Sequence, residues 1–236
     1  MSNSYFRFKQ FTIEQKDCAM KVGTDGCLLG GWFDCTASQR ILDIGCGSGL
    51  IAIMAAQRCG ATITGIEIEQ KAAGQAARNV KNSPWNNRIE IINCDILQYT
   101  PQEAFDTIVS NPPYFVNSLK CDETSRTLAR HSDTLNCENF FEKTASLLST
   151  HGKISIVIPT DILEDWKDAA ALSGFSLSRA TFVKTTPRKM PKRVLAEFIR
   201  AYTCDTHTET LILEDEPGVY SKAAQEILRD FYLKIL

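Results

Sequence analysis

Ile41-Leu42-Asp43-Ile44-Gly45-Cys46-Gly47-Ser48-Gly49 is the stretch that decides how this chain is read. Its first four residues have the short, branched, apolar composition of a strand. The glycines that follow let the backbone turn sharply and approach a ligand closely. Leu50, Ala52, Met54 and Ala55 then continue as an apolar helix. Strand, glycine turn and helix in that order begin an α/β unit. The spacing G-x-G-x-G differs from the G-x-G-x-x-G of a dinucleotide fingerprint, and an acid placed two residues before the first glycine is unlike that motif. Asp43 would repel a pyrophosphate, and no Gly-Lys-Ser/Thr follows the turn, so a phosphate cradle is excluded. A cationic sulfonium ligand suits this turn better.

The pattern continues outward from the turn. Residues 61–66 read as a second strand, 70–80 as an alanine-rich helix, 88–92 as a third strand and 106–110 as a fourth. Residues 116–135 are polar without periodicity, which suits a loop or lid over whatever binds at the strand ends. Residues 138–148 are helical, 153–158 strand-like and 161–171 helical. Residues 175–183 and 194–202 read as a final hairpin joined by a basic connection at 184–193. The tail from 221 to 235 carries Ala224, Ile227, Leu228 and Phe231 at helical spacing. This alternation predicts an α/β sheet covered by helices, in a single domain spanning 1–236. Residues 1–39 form an N-terminal covering segment, 40–202 the core, and 203–236 a C-terminal strand and helix.

Composition narrows the class. With 236 residues, 44% hydrophobic and 23% charged, the chain has ordinary globular usage. No apolar run reaches the ~20 residues of a membrane span and no signal-peptide core is seen, which predicts a cytoplasmic protein. Nine cysteines, odd in number and never spaced C-x-x-C, argue against a disulfide framework or a metal site. The net charge of −2 announces no global field for nucleic acid. Locally, however, Lys184, Arg188, Lys189, Lys192 and Arg193 cluster without an acid, and Arg7 and Lys9 lie near the N-terminus. Such runs are ordinarily solvated faces; the alternative is contact with a phosphate backbone.

Two further acids stand at strand ends, Glu67 after the second and Asp95 after the third. A carboxylate at Glu67 can accept hydrogen bonds from both hydroxyls of a ribose. Each acid alone is equally well explained as a helix N-cap or a solvated strand end. Three acids and a glycine turn at neighbouring strand ends instead line the crevice where open α/β sheets bind ligands, here an adenosine-containing one. Asn111-Pro112-Pro113-Tyr114 follows the fourth strand. Its prolines remove two backbone N–H groups and leave a surface of acceptors. The Asn111 oxygen and the Pro112 carbonyl can take both hydrogens of an –NH2 group, with the Tyr114 ring as a stacking face. The alternative is a tight loop leaving a strand.

Together these residues resemble the class I S-adenosylmethionine-dependent methyltransferases. The resemblance makes 43–49 the first motif, Glu67 the ribose acid, Asp95 the adenine-contacting acid and Asn111 to Tyr114 the amino-methylating motif. It implies a seven-stranded Rossmann-like sheet, mostly parallel, with an antiparallel last strand and helices on both faces. Phe8-Lys9-Gln10-Phe11 with Gln15, the run from Met20 to Gly30, Ala129-Arg130-His131 and Asp230-Phe231-Tyr232-Leu233 are similar to sequences of the bacterial tRNA1(Val) adenine-N6 methyltransferases. That resemblance implies S-adenosyl-L-methionine as cofactor and a tRNA anticodon loop as substrate, methylated at adenosine 37. It also implies that Lys21, Thr24 and Asp25 reach the methionine end of the cofactor, although Thr-Asp-Gly is equally good chemistry for an ordinary turn. A monomer is favoured. Glutamine-N5 methyltransferases of release factors and guanine-N2 enzymes of ribosomal RNA also carry Asn-Pro-Pro motifs. A non-catalytic cofactor- and RNA-binding protein is the alternative outside catalysis, disfavoured by the intact Asn111 and Tyr114.

Overall fold

The structure, a computed structural model, describes residues 3–112 and 135–234. A short antiparallel hairpin, β1 (Tyr5–Arg7) and β2 (Thr12–Glu14), precedes helix α1 (Thr24–Trp32). Then β3 (Arg40–Ile44), α2 (Leu50–Arg58), β4 (Thr62–Glu67), α3 (Gln70–Lys81) and β5 (Ile89–Asn93) alternate regularly. They are followed by a 3-10 turn, Ile96–Gln98, and by β6 (Phe105–Ser110). The second half runs α4 (Cys137–Leu147), β7 (Leu148–Pro159), α5 (Leu163–Leu172), β8 (Phe175–Lys184) and β9 (Arg193–Arg200). It closes with β10 (His207–Ile212), a small hairpin of β11 (Glu214–Glu216) and β12 (Val219–Tyr220), and α6 (Lys222–Leu228).

The large sheet has eight strands in the order β10-β8-β9-β7-β6-β3-β4-β5. All run parallel except β9, which is antiparallel to both neighbours. The expectation of seven strands ending in an antiparallel one is thus corrected: β10 joins the edge parallel to β8, and the reversed strand is the second to last in sequence. A strand is expected within 203–236, but its bounds and its place in the sheet carry no apolar signal, because His207-Thr208-Glu209-Thr210 is exposed, with only Leu211 buried. The hairpin of 175–183 with 194–202 corresponds to β8 and β9.

Strand residues alternate between the two faces. Ile41, Ile63, Val109, Val157 and Leu195 pack under α1, α2, α6 and the N-terminal hairpin. Leu42, Ile44, Ile66, Ile108, Ile154 and Ile156 pack under α4 and α5. Both faces are buried, so the central strands read as continuous apolar runs.

Helix α1 is the largest departure from the sequence reading, which had Thr24-Asp25-Gly26 as turn chemistry. Three glycines in nine residues cost a helix about 1 kcal/mol each relative to alanine. Packing overrides this. A Cβ at Gly30 would stand 2.6 Å from the Met54 sulfur of α2, so glycine is what lets the two helices approach. The tail helix is shorter than the periodicity suggested, ending at Leu228.

Candidate active site

The chain runs from β3 outward to β5, then returns to β6 on the other side of β3. The C-terminal ends of β3 and β6 therefore flank the topological switch point, where open α/β sheets bind ligands. The glycine turn leaves β3 at this point, and Asn111 leaves β6 there, its preceding residue Ser110 paired with Ile44. Glu67 ends the neighbouring β4, and Asp95 follows β5.

Local hydrogen bonds explain why each acid holds its place. Gly49 is the N-cap of α2 at φ +79°, a left-handed value suited to glycine, and has no side chain to satisfy the helix's first N–H groups. Asp43 supplies what is missing: its Oδ2 accepts from the Ala52 N–H at 3.0 Å. The other oxygen, Oδ1, is buried and has no hydrogen-bond partner. Burial raises the Asp43 carboxyl to a pKa of about 7, with the charge of Glu67 adding to the effect and the Ala52 N–H opposing it. Glu67 accepts from the Gly47 N–H (2.9 Å) with Oε2 and from the Glu69 N–H (2.9 Å) with Oε1, pinning the glycine turn to β4. Asp95 caps the 3-10 turn through the Leu97 N–H at 2.9 Å. Capping and ligand binding are compatible at these positions, because a carboxylate offers about four acceptor sites and each bond fills one. Cys46, within the turn, is a buried neutral thiol: burial, then Asp43 and Glu67, raise its pKa well above the usual range.

The N-terminal segment lies over the same strand ends. Gln15 is buried and organises it, accepting from the Val22 N–H at 2.7 Å, while the Lys21 ammonium donates to the Gln15 carbonyl. The Asn111 amide donates to the Met20 sulfur at 3.6 Å, and a Cβ on Gly26 would lie 3.9 Å from the same amide nitrogen. Thr24 is exposed at the start of α1. Asp25 points to the basic connection, its Oδ2 accepting from Arg193 Nε at 2.8 Å. Pro112 is buried. Pro113, Tyr114, the proposed lid up to residue 134 and Ala129-Arg130-His131 lie outside the described residues.

The basic residues divide. The connection between β8 and β9 emerges at the end of the sheet where β3, β4 and β6 finish, since β8 runs parallel to them. There Arg188, Lys189 and Lys192 are exposed, Lys184 donates to the Pro187 carbonyl at 2.7 Å, and Arg193 is paired with Asp25. Arg7 and Lys9 are not brought to this group. Lys9 donates from its backbone to the Phe231 carbonyl at 2.8 Å, and Phe11 in the same turn meets Trp85, beyond the far end of α3.

Sequence reasoning missed three residues that build the site. Asn79 of α3 is buried and reaches both the Glu14 carbonyl and the Ser48 carbonyl at 2.8 Å, tying the N-terminal hairpin to the glycine turn. An asparagine on the buried side of an alanine-rich helix was the available signal. Asn93 donates to the Glu67 carbonyl (2.8 Å) and the Ile68 carbonyl (3.0 Å), fixing the end of β4. Ile68 itself is 66% exposed beside Glu67, an apolar surface at a ligand-type position. A polar cleft of about 510 Å³, lined by Arg40, Thr62, Arg88, Glu90 and Tyr99 among others, opens at the opposite ends of the strands and involves none of these residues. Among the described residues no His/Cys/Asp/Glu group is placed to hold a metal, and no helix is long and apolar enough to cross a membrane.

A doubly wound sheet with one reversed strand, a glycine turn, strand-end acids and an asparagine–proline step at the switch point define the Rossmann-like methyltransferases of class I. Residues 19–165 match the family described as methyltransferase small domain. Over its full length the chain is similar to the tRNA1(Val) (adenine(37)-N6)-methyltransferase of Bacteroides fragilis strain YCH46, with 46% identity over 238 residues covering all of both chains. It is likewise similar to the protein of that name from Phocaeicola vulgatus, 45% identical over 236 residues with both chains fully covered. Among solved structures it resembles one described as a predicted O-methyltransferase from Agrobacterium tumefaciens, with a TM-score of 0.70 over 90% of this chain and 99% of that one. At 20% identity this likeness speaks for the fold alone. The chain belongs to the methyltransferase small domain family and, within it, to the family of the tRNA1(Val) (adenine(37)-N6)-methyltransferases.

Proposed function

We propose that this chain methylates the exocyclic N6 of an adenine in tRNA, adenosine 37 of tRNA1(Val), using S-adenosyl-L-methionine. The observation that carries the reading is the placement of Asn111 beside the glycine turn, through the Ile44–Ser110 pairing of β3 and β6. The residues present suit the cofactor. Glu67 keeps acceptor capacity for ribose hydroxyls, Asp95 lies one strand further for the base, and Ile68 offers the base an apolar face. Asp43 has a buried oxygen without a partner on the side of the sheet that carries the turn. Lys21, Thr24 and Asp25 begin the segment above. When bound, the cofactor supplies an electrophilic methyl group on its sulfonium.

The adenine amino nitrogen is a poor nucleophile because its lone pair is delocalised into the ring. Asn111 Oδ1 and the Pro112 carbonyl accept its two hydrogens and hold them out of the ring plane, which raises lone-pair density toward the methyl donor. Tyr114 stacks on the base, worth ~1–3 kcal/mol. No strong base is required, because the nitrogen becomes acidic only after methylation. Holding the two reactants in line supplies much of the rate. An adenine next to an anticodon is presented on a loop, where splaying a base costs little. Arg188, Lys189 and Lys192, exposed at the same end of the sheet, serve as contacts to the tRNA backbone. On this reading the protein acts as a monomer in the cytoplasm, where its substrate is found.

The test incubates the protein with labelled S-adenosyl-L-methionine and unmethylated tRNA1(Val), and in parallel with total protein. Label in N6-methyladenosine at position 37, identified by mass spectrometry, is expected. Label in N2-methylguanosine or in glutamine, with none in adenosine, overturns the assignment.

A further inference from the structure

We infer that Arg193 is a positioning residue rather than an RNA contact: through its ion pair with Asp25 it locks the first turn of α1 to the basic connection, and so couples tRNA docking to the cofactor side of the site. The inference rests on the tRNA reading above for its substrate, but not for its mechanical content.

Arg193 is the first residue of β9, directly after the exposed 185–192 connection, and is paired across the sheet with Pro159 at the end of β7. Its guanidinium faces two ways. Nε donates to Asp25 Oδ2 at 2.8 Å, and Nη1 donates to the Lys192 carbonyl at 3.0 Å. The Lys192 backbone is itself fixed, its N–H donating to the Val183 carbonyl (3.2 Å) and its carbonyl accepting from the Thr160 N–H (3.3 Å). The pair is about two-thirds buried on each side, 34% and 31% exposed, so it is screened less than a surface pair. A guanidinium committed to a carboxylate and to its own loop carbonyl has fewer donors to offer a phosphate.

On the other side of the pair, Asp25 is the second residue of α1, whose N-cap Gly23 has no side-chain hydrogen bond. The carboxylate therefore sits at the positive end of a helix otherwise uncapped by a side chain. The next residue, Gly26, backs onto Leu50 at the start of α2 and onto the Asn111 amide, with an added Cβ at 3.3 and 3.9 Å from them. A shift of this first turn is felt at the amine-gripping asparagine and at the glycine-turn helix together. Movement of the 185–192 connection under bound RNA is transmitted through Arg193 to that turn. The path is three packed contacts long and consists of groups with defined partners.

The experiment is a double-mutant cycle of Arg193→Gln and Asp25→Asn, with Arg193→Lys as the conservative variant, measuring S-adenosylhomocysteine affinity, kcat, tRNA affinity without cofactor, and melting temperature. Arg193→Gln is expected to lose about tenfold in both cofactor affinity and kcat, with the loss from a displaced site reaching about 100-fold at most. Its tRNA affinity should change less than about twofold, with an unchanged salt slope, because no phosphate contact is removed. Asp25→Asn should behave alike, the double variant no worse than either single one, and Arg193→Lys should restore most of the loss. A tRNA affinity that falls with a shallower salt slope makes Arg193 a phosphate contact and overturns the inference. So do losses that multiply in the double variant, or a fall in melting temperature that tracks activity in every variant, Arg193→Lys included. If no variant or wild type methylates tRNA, the substrate reading fails while the cycle on S-adenosylhomocysteine affinity still decides the coupling.

Discussion

Replacing Asp43 by asparagine should remove a pH dependence that the fold builds into its cofactor turn. Asp43 is fully buried, and only one of its oxygens is hydrogen-bonded, to the Ala52 N–H. Its folded pKa of about 7 lies about three pH units above the ordinary 3.8. At about 1.36 kcal/mol per unit, ionising it in the folded protein costs on the order of 4 kcal/mol. Because the folded pKa is raised, the folded state holds the proton more tightly than the unfolded one. The carboxyl's favourable contribution is complete below about 3.8 and is lost as pH climbs to about 7. Between pH 5 and pH 8 about two of those units are crossed, a relative loss of roughly 3 kcal/mol, or about 6–12 °C in melting temperature for a chain of this size. Asparagine keeps an acceptor for the Ala52 N–H but does not titrate. Thermal unfolding of both proteins from pH 5 to 8, without cofactor, should therefore show the wild-type melting temperature falling relative to that of Asp43→Asn. The same ionisation should favour a sulfonium over its neutral product. Calorimetry should find the ratio of S-adenosyl-L-methionine to S-adenosylhomocysteine affinity rising from pH 6 to pH 8 in the wild type and flat in the variant. The ligand amino group is common to both molecules and cancels. Melting curves that stay parallel across the pH range would show that Asp43 is not held as a high-pKa acid, and the reasoning would fall.

Asn111→Ala should lower kcat by about 10²- to 10³-fold while S-adenosylhomocysteine affinity, read by calorimetry, changes less than about threefold, since its acceptor acts on the amine as charge develops. Equal losses in both would assign it to cofactor binding instead. Reversing Arg188 and Lys189 to glutamate should weaken tRNA binding and make the slope of log affinity against log salt shallower by about 1.4, the share of two single-strand phosphate contacts. An unchanged slope in filter binding would return the connection to an ordinary solvated surface. Gly74→Ala and Gly31→Ala form a matched test of packing. At Gly74 a new Cβ meets nothing closer than Arg78 Nη1 at 3.6 Å, so helix propensity should raise stability by about 0.5–1 kcal/mol. At Gly31 it would stand 2.5 Å from the Ile227 carbonyl of α6, and overpacking should cost about 1–3 kcal/mol in denaturant unfolding.

Much of the site was legible in the chain because its chemistry is local. Asp43 and Glu67 lie at the ends of their strands, the glycine turn and Asn111 follow directly on theirs, and Asp95 stands two residues past β5; a strand fixes the position of its own last residue. The alternation of apolar runs and helical periods likewise decided the sheet from residue 40 to residue 200. What the tertiary structure alone decided is how distant segments meet. Helix α1 exists because its glycines are packing surfaces against α2 and α6, which no propensity within Thr24–Trp32 reveals. Strand β10, expected somewhere within 203–236, takes its edge position and parallel direction from β8, which its exposed residues do not specify. Asn79 ties β2 to the glycine turn, and Asp25 and Arg193, one expected at the cofactor and the other on RNA, form an ion pair across 168 residues of sequence. Sequence determines what each strand end carries, because backbone geometry is set by near neighbours. Which strand ends and loops share one site is settled only when the chain closes on itself, because burial and charge pairing act between residues that sequence keeps far apart.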